Sequence, residues 1–510
     1  KRNHRQVLKM AEENDWKIVR PLPGGGILEL HSLDAKGKPV YYKTYSSESA
    51  ATTRTDQVWE GGDSGLSLSG SSEYVSNRLG IWDAGALRRS HQELSGRVSQ
   101  EDNAGNSYSD HATHVAGIMI GSGVNAEAVG MAYQSDLLAW EWSNDLSEMS
   151  EAAADGLLLS NHSYGLGNIG WVYNSDRSGS ILWEWWGDTD ISAYEDYRFG
   201  YYDDYAQEVD QIVNNAPYYL VMVAAGNDRT SSGPGTGNRY YLNSSNTTST
   251  VERRDQDSFD LITSFGLSKN VLTVGAIHPI EGGFQESSEA ELAYFSSLGP
   301  TDDGRIKPDV VADGWDVLSS VATSNQAYDY YSGTSMAAPN VTGSLQLLQE
   351  YHAELYDGNF LKAATLKGLV IHTSDDAGNE GPDFTYGWGV LNTARAAEAI
   401  NGMDDQYLVD ERSLVQDAHD TIQVIASGSE SLKVTISWND PAATPLEINE
   451  LVVNNRTPLL VNDLDIVVFG QDSTFYPWVL DPDFSSAEAT PGDNYRDNVE
   501  QIVIRNPVPG

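Results

Sequence analysis

A chain of 510 residues, 40% of them hydrophobic, has material for two or three packed domains and is not a disordered tail. Its formal charge of -43 argues against nucleic acid and anionic membranes as partners, and zero cysteines exclude disulfides, thiol nucleophiles and thiolate metal sites. No apolar run approaches the roughly 20 residues of a membrane span, so the chain reads as soluble; an extracellular life would call for another brace, such as calcium.

The first 45 residues carry nine Lys or Arg against five Asp or Glu, opposite in sign to the rest of the chain, which favours docking of one on the other. Ser46 to Thr55, rich in Ser, Thr and Ala, reads as an exposed linker and a cleavage region. From Leu79 to Ile400, short runs apolar on both faces alternate with helical patterns: Leu79 to Trp82, Leu137 to Trp142, Leu157 to Ser160, Tyr218 to Ala225 and Val271 to Ile277. Such runs suit a mostly parallel, doubly wound α/β sheet with helices on both faces.

Residues 166–205 hold Trp171, Trp183, Trp185 and Trp186 without a clean period and read as a surface insertion, packed on itself or turned toward substrate. After Gly402 the period becomes two, with Leu432, Val434, Ile436 and Trp438 on one side of a half-buried antiparallel strand. Leu464 to Phe469 and Val499 to Ile504 extend that all-β module, a sandwich or jelly roll whose closing strand is expected beyond Gly510. The organisation expected is therefore an N-terminal region at 1–49, an α/β domain at 50–402 and a β module at 403–510.

Four segments place a polar side chain just after an apolar strand or at a helix start. Asp83 follows Leu79 to Trp82 at the carboxyl edge of the sheet, where ligands of α/β folds gather, although a strand-end Asp is commonly a turn former. His111 opens the helical run HATHVAG. His114 lies only three residues on, with no glutamate base between them, so a zinc pair does not fit and His114 reads as a core histidine. Asn227 ends the Tyr218 to Ala225 strand with an amide that could donate to an oxyanion. Ser335, in SGTSMAAP, precedes the apolar helix Val341 to Leu348, where the helix N-terminus favours the anion formed when serine attacks a carbonyl. Pro339 reads as tolerable in that helix's first turn.

In the order Asp, His, Asn, Ser, with HATHVAG and GTSMAAP as long signatures, these segments resemble the subtilisin-like serine peptidases, the subtilases, over about Leu79 to Ile400. The resemblance implies a secreted, bacterial endopeptidase that hydrolyses proteins through an acyl-enzyme on Ser335, with His111 as base, Asp83 orienting it and Asn227 in the oxyanion hole. It also implies a specificity pocket walled by Ser163, Tyr164 and Gly165 on one side and Ala224, Ala225 and Gly226 on the other. The C-terminal VNDLD segment resembles β modules that bind structural calcium, which would lie near Asp463, Asp465 and Asp497, where exposed acidic turns are the alternative. No catalytic cofactor is implied. The basic N-terminal region would be an inhibitory prosegment, and the enzyme a monomer acting on protein or peptide substrates. Ala84, Ala112 and Asp313 depart from the family pattern, and Ala112 could crowd the histidine. A catalytically silent binding protein and an esterase are the rival readings.

Overall fold

The computed structural model describes residues 10–11, 19–21, 27–33, 39–43, 46–105, 107–177, 179–242, 247–253, 259–403 and 406–510. At its centre is a seven-stranded sheet with every pairing parallel. Its strands are β1 (Leu79–Asp83), β2 (Val98–Gln100), β3 (Leu137–Glu141), β4 (Leu159–His162), β5 (Leu220–Ala224), β6 (Leu272–Ile277) and β7 (Val310–Asp313). The helices that concern the site are α1 (Ser46–Thr52), α2 (Asp110–Ile120), α3 (Asp145–Ala154), α4 (Asp204–Asn215), α5 (Thr334–Leu355), α6 (Ala363–Thr373) and α7 (Thr393–Asn401).

Successive side chains of a strand point to opposite faces, so each strand feeds two cores. Leu79 and Ile81 of β1 and Leu220 and Met222 of β5 join α2 and α5 in one apolar cluster. Trp82, Val221 and Val223 join α3 and α4 in the other, where the Trp82 and Trp140 rings stack at 4.2 Å. This is the doubly wound architecture that the runs apolar on both faces imply.

The strand order is β7-β6-β5-β4-β1-β3-β2. The chain leaves β1 toward one edge, returns, and continues from β4 toward the other, so β1 and β4 flank a switch point. The carboxyl ends of the strands at such a point are the usual ligand position in such sheets. Asp83 ends β1, Ser163 follows β4 and Asn227 lies just past β5.

The α5 helix runs 22 residues and is buried over most of its length against both α2 and the sheet. Pro339 stands in its second turn, not its first, and supplies no N–H for the carbonyl of Ser335. The Ser163 hydroxyl donates to that carbonyl instead, at 3.0 Å.

The stretch expected to be an exposed linker is not one. Residues 46–52 form α1, and Ala50, Ala51, Thr52, Thr53 and Thr55 are all buried. The Asn340 amide donates to Ser49 O at 3.1 Å and to Ser49 Oγ at 2.9 Å, and Thr53 Oγ1 donates to Asn340 Oδ1 at 3.0 Å. Thr55 Oγ1 bonds Ser344 Oγ at 2.6 Å and Thr393 Oγ1 at 3.0 Å. Distant polar partners thus absorb hydroxyls that read locally as solvent-facing, and the 49/50 boundary falls inside a helix. Most of residues 1–45 lies outside the described residues; Val19–Pro21, Ile27–Leu33 and Pro39–Lys43 form an antiparallel three-stranded sheet.

The Trp-rich insertion forms a four-stranded sheet of its own from Trp171–Tyr173, Trp183–Trp185, Tyr240–Leu242 and Thr247–Ser249. Trp171 packs edge-on to Trp185 and Tyr240, at 4.9 and 4.6 Å. The self-packed alternative holds, with half of the sheet coming from a segment that carries no tryptophan.

The C-terminal module is built of antiparallel pairs: Leu432–Ser437 with Val499–Ile504, Val468–Phe469 with Thr474–Phe475, and Trp478–Val479 with Thr490–Pro491. It docks through buried polar bonds. The Lys269 ammonium pairs with Asp440, and the Asn270 amide donates to Asp440 O at 2.8 Å.

Candidate active site

Asp83 is fully buried at the end of β1, and Ala84 N donates to its Oδ1 at 2.7 Å. His111 is the second residue of α2, whose N-cap Ser109 accepts from Ala112 N at 3.1 Å. That cap fixes the first turn and turns the imidazole back to the strand: Nδ1 donates to Asp83 Oδ1 at 2.8 Å and Oδ2 at 3.0 Å. Burial works against protonation of His111, but the hydrogen bond and charge of Asp83 outweigh it and raise its pKa. With Nδ1 committed to the carboxylate, Nε2 is the ring's free acceptor.

Three residues on, His114 points elsewhere. It is buried, its Nε2 reaches Val317 O at 3.0 Å and Asp329 O at 3.1 Å, and its ring stacks on Tyr331 at 4.4 Å. Burial lowers its pKa to about 4. It is the core histidine expected.

Ser335 is the second residue of α5, two positions after the N-cap Gly333. Its hydroxyl donates to Ser163 O at 3.1 Å and not to the His111 ring. Opposite it, Asn227 Oδ1 accepts from Thr334 N at 3.0 Å and Thr334 Oγ1 at 3.1 Å, which pins the amide. A Cβ built on Gly333 would lie 3.5 Å from Asn227 Nδ2 and 3.6 Å from Ser335 N. Two donors therefore border one small space beside the serine.

The two expected walls leave adjacent strands β4 and β5. A Cβ on Gly165 would meet nothing within 4 Å, so that edge is open. Gly226 has φ +107, and its N–H donates to Thr334 Oγ1 at 3.1 Å. Ala225 N donates to Val274 O at 2.9 Å, which ties its wall to β6. The Tyr164 hydroxyl bonds His162 Nδ1 and donates to Asp145 Oδ2, both at 2.9 Å, and the ring packs against Phe265 and Trp142.

Residues 67–389 match the model of the Subtilase family, which is more than half of the chain. The chain belongs to the subtilase family. Among curated proteins this subtilase is 26% identical over 335 residues to pyrolysin of Pyrococcus furiosus, covering 57% of this chain and 22% of that protein. It is 31% identical over 188 residues to a C5a peptidase of Streptococcus pyogenes serotype M3, covering 36% and 15%. The chain thus spans under a quarter of the length of these relatives. Among solved structures, the Clostridium perfringens CspB protease superposes with a TM-score of 0.49 at 16% identity, covering 69% of this chain and 99% of that one.

The calcium trio is not brought together in this subtilase as expected. Asp463 and Asp465 lie near Asp493, and their mutual charge, after burial, raises their pKa. Asp497 is buried at the domain junction, where Oδ1 accepts from Ile306 N at 2.8 Å and Oδ2 from Asn494 Nδ2 at 3.1 Å. A backbone N–H and an amide satisfy it there. Among the described residues no group of three or more His, Cys, Asp or Glu side chains could hold a metal, and no helix is long and apolar enough to cross a membrane.

Sequence reasoning missed Ser163 as the partner of Ser335. Pro339 was the available signal, because a proline in a second turn strands the carbonyl four residues earlier.

Proposed function

We propose that this subtilase is a secreted serine endopeptidase that hydrolyses peptide bonds of proteins through an acyl-enzyme on Ser335. The observation that carries the reading is the two-oxygen grip of Asp83 on His111 Nδ1, which leaves Nε2 as the base at the sheet's switch point. His111 takes the Ser335 proton and later returns it to the leaving amine, while Asp83 keeps the ring in the required tautomer. Asn227 Nδ2 and Ser335 N hold the oxyanion. A substrate strand laid along Ser163 to Gly165 and Ala224 to Gly226 takes up the Ser163 carbonyl and frees the Ser335 hydroxyl to turn toward His111.

The three-stranded sheet within residues 19–43 supports an N-terminal unit that acts as intramolecular inhibitor, with any cut upstream of α1. Structural calcium near Asp463 and Asp465 remains part of the proposal, joined there by Asp493. The test is labelling by a serine-directed fluorophosphonate together with casein digestion: the wild type is labelled and digests casein, and Ser335→Ala does neither. Labelling of Ser335→Ala at the wild-type level would overturn the assignment.

A further inference from the structure

We propose that the carboxylates of Asp302 and Asp260, facing each other across Gly200, hold a divalent cation of calcium's class in a site distinct from both the catalytic residues and the VNDLD segment. Both residues are buried, at 5% and 3% exposure. Neither carboxylate oxygen of Asp302 has a hydrogen-bond partner. A Cβ added to Gly200, whose φ is +73, would lie 2.7 Å from Asp302 Oδ1 and 2.2 Å from Asp260 Oδ1, so both oxygens converge on one point that only glycine leaves open.

Neighbouring acids are satisfied by other means. Asp303 accepts from Arg305 Nε at 2.8 Å and Thr301 Oγ1 at 2.6 Å. Arg456, whose charge acts on Asp302, is spent on Asp483 Oδ1 at 3.0 Å, on the Asp302 main-chain carbonyl at 2.9 Å and on Pro482 O at 3.2 Å. It reaches the Asp302 backbone and not its carboxylate. Burial first, and then the charges of Asp260 and Glu195, push the Asp302 carboxyl well above the usual range. A buried carboxylate is costly unless a positive charge or hydrogen bonds answer it.

Asp302 also lines a cavity of ≈ 10 Å³ with Tyr201, Tyr202, Asn455 and Leu459, room for about one water-sized sphere. A site of carboxylate oxygens, completed by backbone oxygens and water, suits calcium more than a transition metal. Gly200 closes the aromatic insertion, Asp260 lies on the segment returning from it, Asp302 precedes β7, and Asn455 and Leu459 belong to the C-terminal module. The ion would staple these segments together.

The test uses the full chain carrying Ser335→Ala, stripped with EGTA, with calcium chloride as the probe. Equilibrium dialysis counts bound calcium and calorimetry follows Tm. In this background Asp302→Asn is expected to bind one calcium fewer per chain and to lose part of the calcium-induced rise in Tm; without calcium it should be at least as stable as its parent, since one of two facing charges is gone. Asp463→Asn is the control and leaves this site filled. Should Asp302→Asn fail to fold, Asp260→Asn serves, read by terbium luminescence sensitised through Tyr201 and Tyr202, which the variant should lose. Unchanged stoichiometry with an unchanged calcium-induced rise in Tm overturns the proposal. So does a variant stabilised in EGTA with full calcium binding, which would mean that the pair shares a proton.

Discussion

Ser163 and Ser335 exchange hydrogen bonds in both directions, hydroxyl to carbonyl at 3.0 Å and 3.1 Å. One bond replaces the donor that Pro339 lacks, and the other parks the Ser335 hydroxyl on the strand edge where substrate is proposed to lie. Ser163→Ala should therefore cost about 1 to 3 kcal/mol, the penalty for an orphaned polar group, in urea unfolding of the Ser335→Ala protein. In the active protein it should also lower kcat/KM. A silent substitution would mean that water replaces the Ser163 hydroxyl.

On the proposed mechanism, the Asp83 to His111 contact would set the acid limit of activity. A base must be neutral, and the pKa of His111 is raised, so activity should disappear as the pH falls through a value above that of an ordinary histidine. Asp83→Asn should reduce kcat by about 10⁴ and move the acid limb of the residual activity downward. Profiles of kcat/KM against pH for both proteins check this.

Asn227→Ala removes one of the two donors beside Gly333. The expected loss is about 10² to 10³ in kcat with little change in KM, a magnitude known from a subtilisin. Because Asn227 Oδ1 also holds Thr334, circular dichroism should confirm that the fold survives. A rise in KM with kcat intact would assign Asn227 to ground-state binding instead.

Burial lowers the pKa of His114 to about 4 and of His162 to about 3. Their folded pKa values lie below the ordinary 6.5, so the unfolded chain binds these protons first, and stability present above that value is lost as the pH falls below it. Each group contributes a slope of up to about 1.4 kcal/mol per pH unit. Denaturant unfolding at neutral and mildly acidic pH should show the slope reduced in His114→Gln.

If the N-terminal region is removed, the new terminus should fall at or before Ser46. Cleavage further on would break α1 and strip Asn340, Ser344 and Thr393 of partners. N-terminal sequencing of active protein checks this, and a terminus inside 50–55 would contradict it. Asn340→Ala, which removes one partner from each of Ser49 and Thr53, should cost about 1 to 3 kcal/mol.

The site was legible where its information is local. The apolar run of β1 ends on its aspartate, HATHVAG starts a helix at its histidine, and SGTSMAAP puts the serine at a helix N-terminus, each within a dozen residues. What could not be read lies in long-range pairing. The hydroxyls of α1 resemble those of a linker until Asn340 appears 287 positions after Thr53. The aromatic sheet draws strands from 171–173 and from 240–242. Asp497 resembles a metal ligand until Ile306, distant in sequence, donates to it.

The docking of α1 also sets an order in time. The helix and Thr53 and Thr55 just after it leave the ribosome before their partners, which stand at residues 340, 344 and 393. Closing so long a loop pays only after the sheet between has formed. During synthesis, therefore, α1 stays unfinished along one flank until nearly the whole α/β domain has emerged.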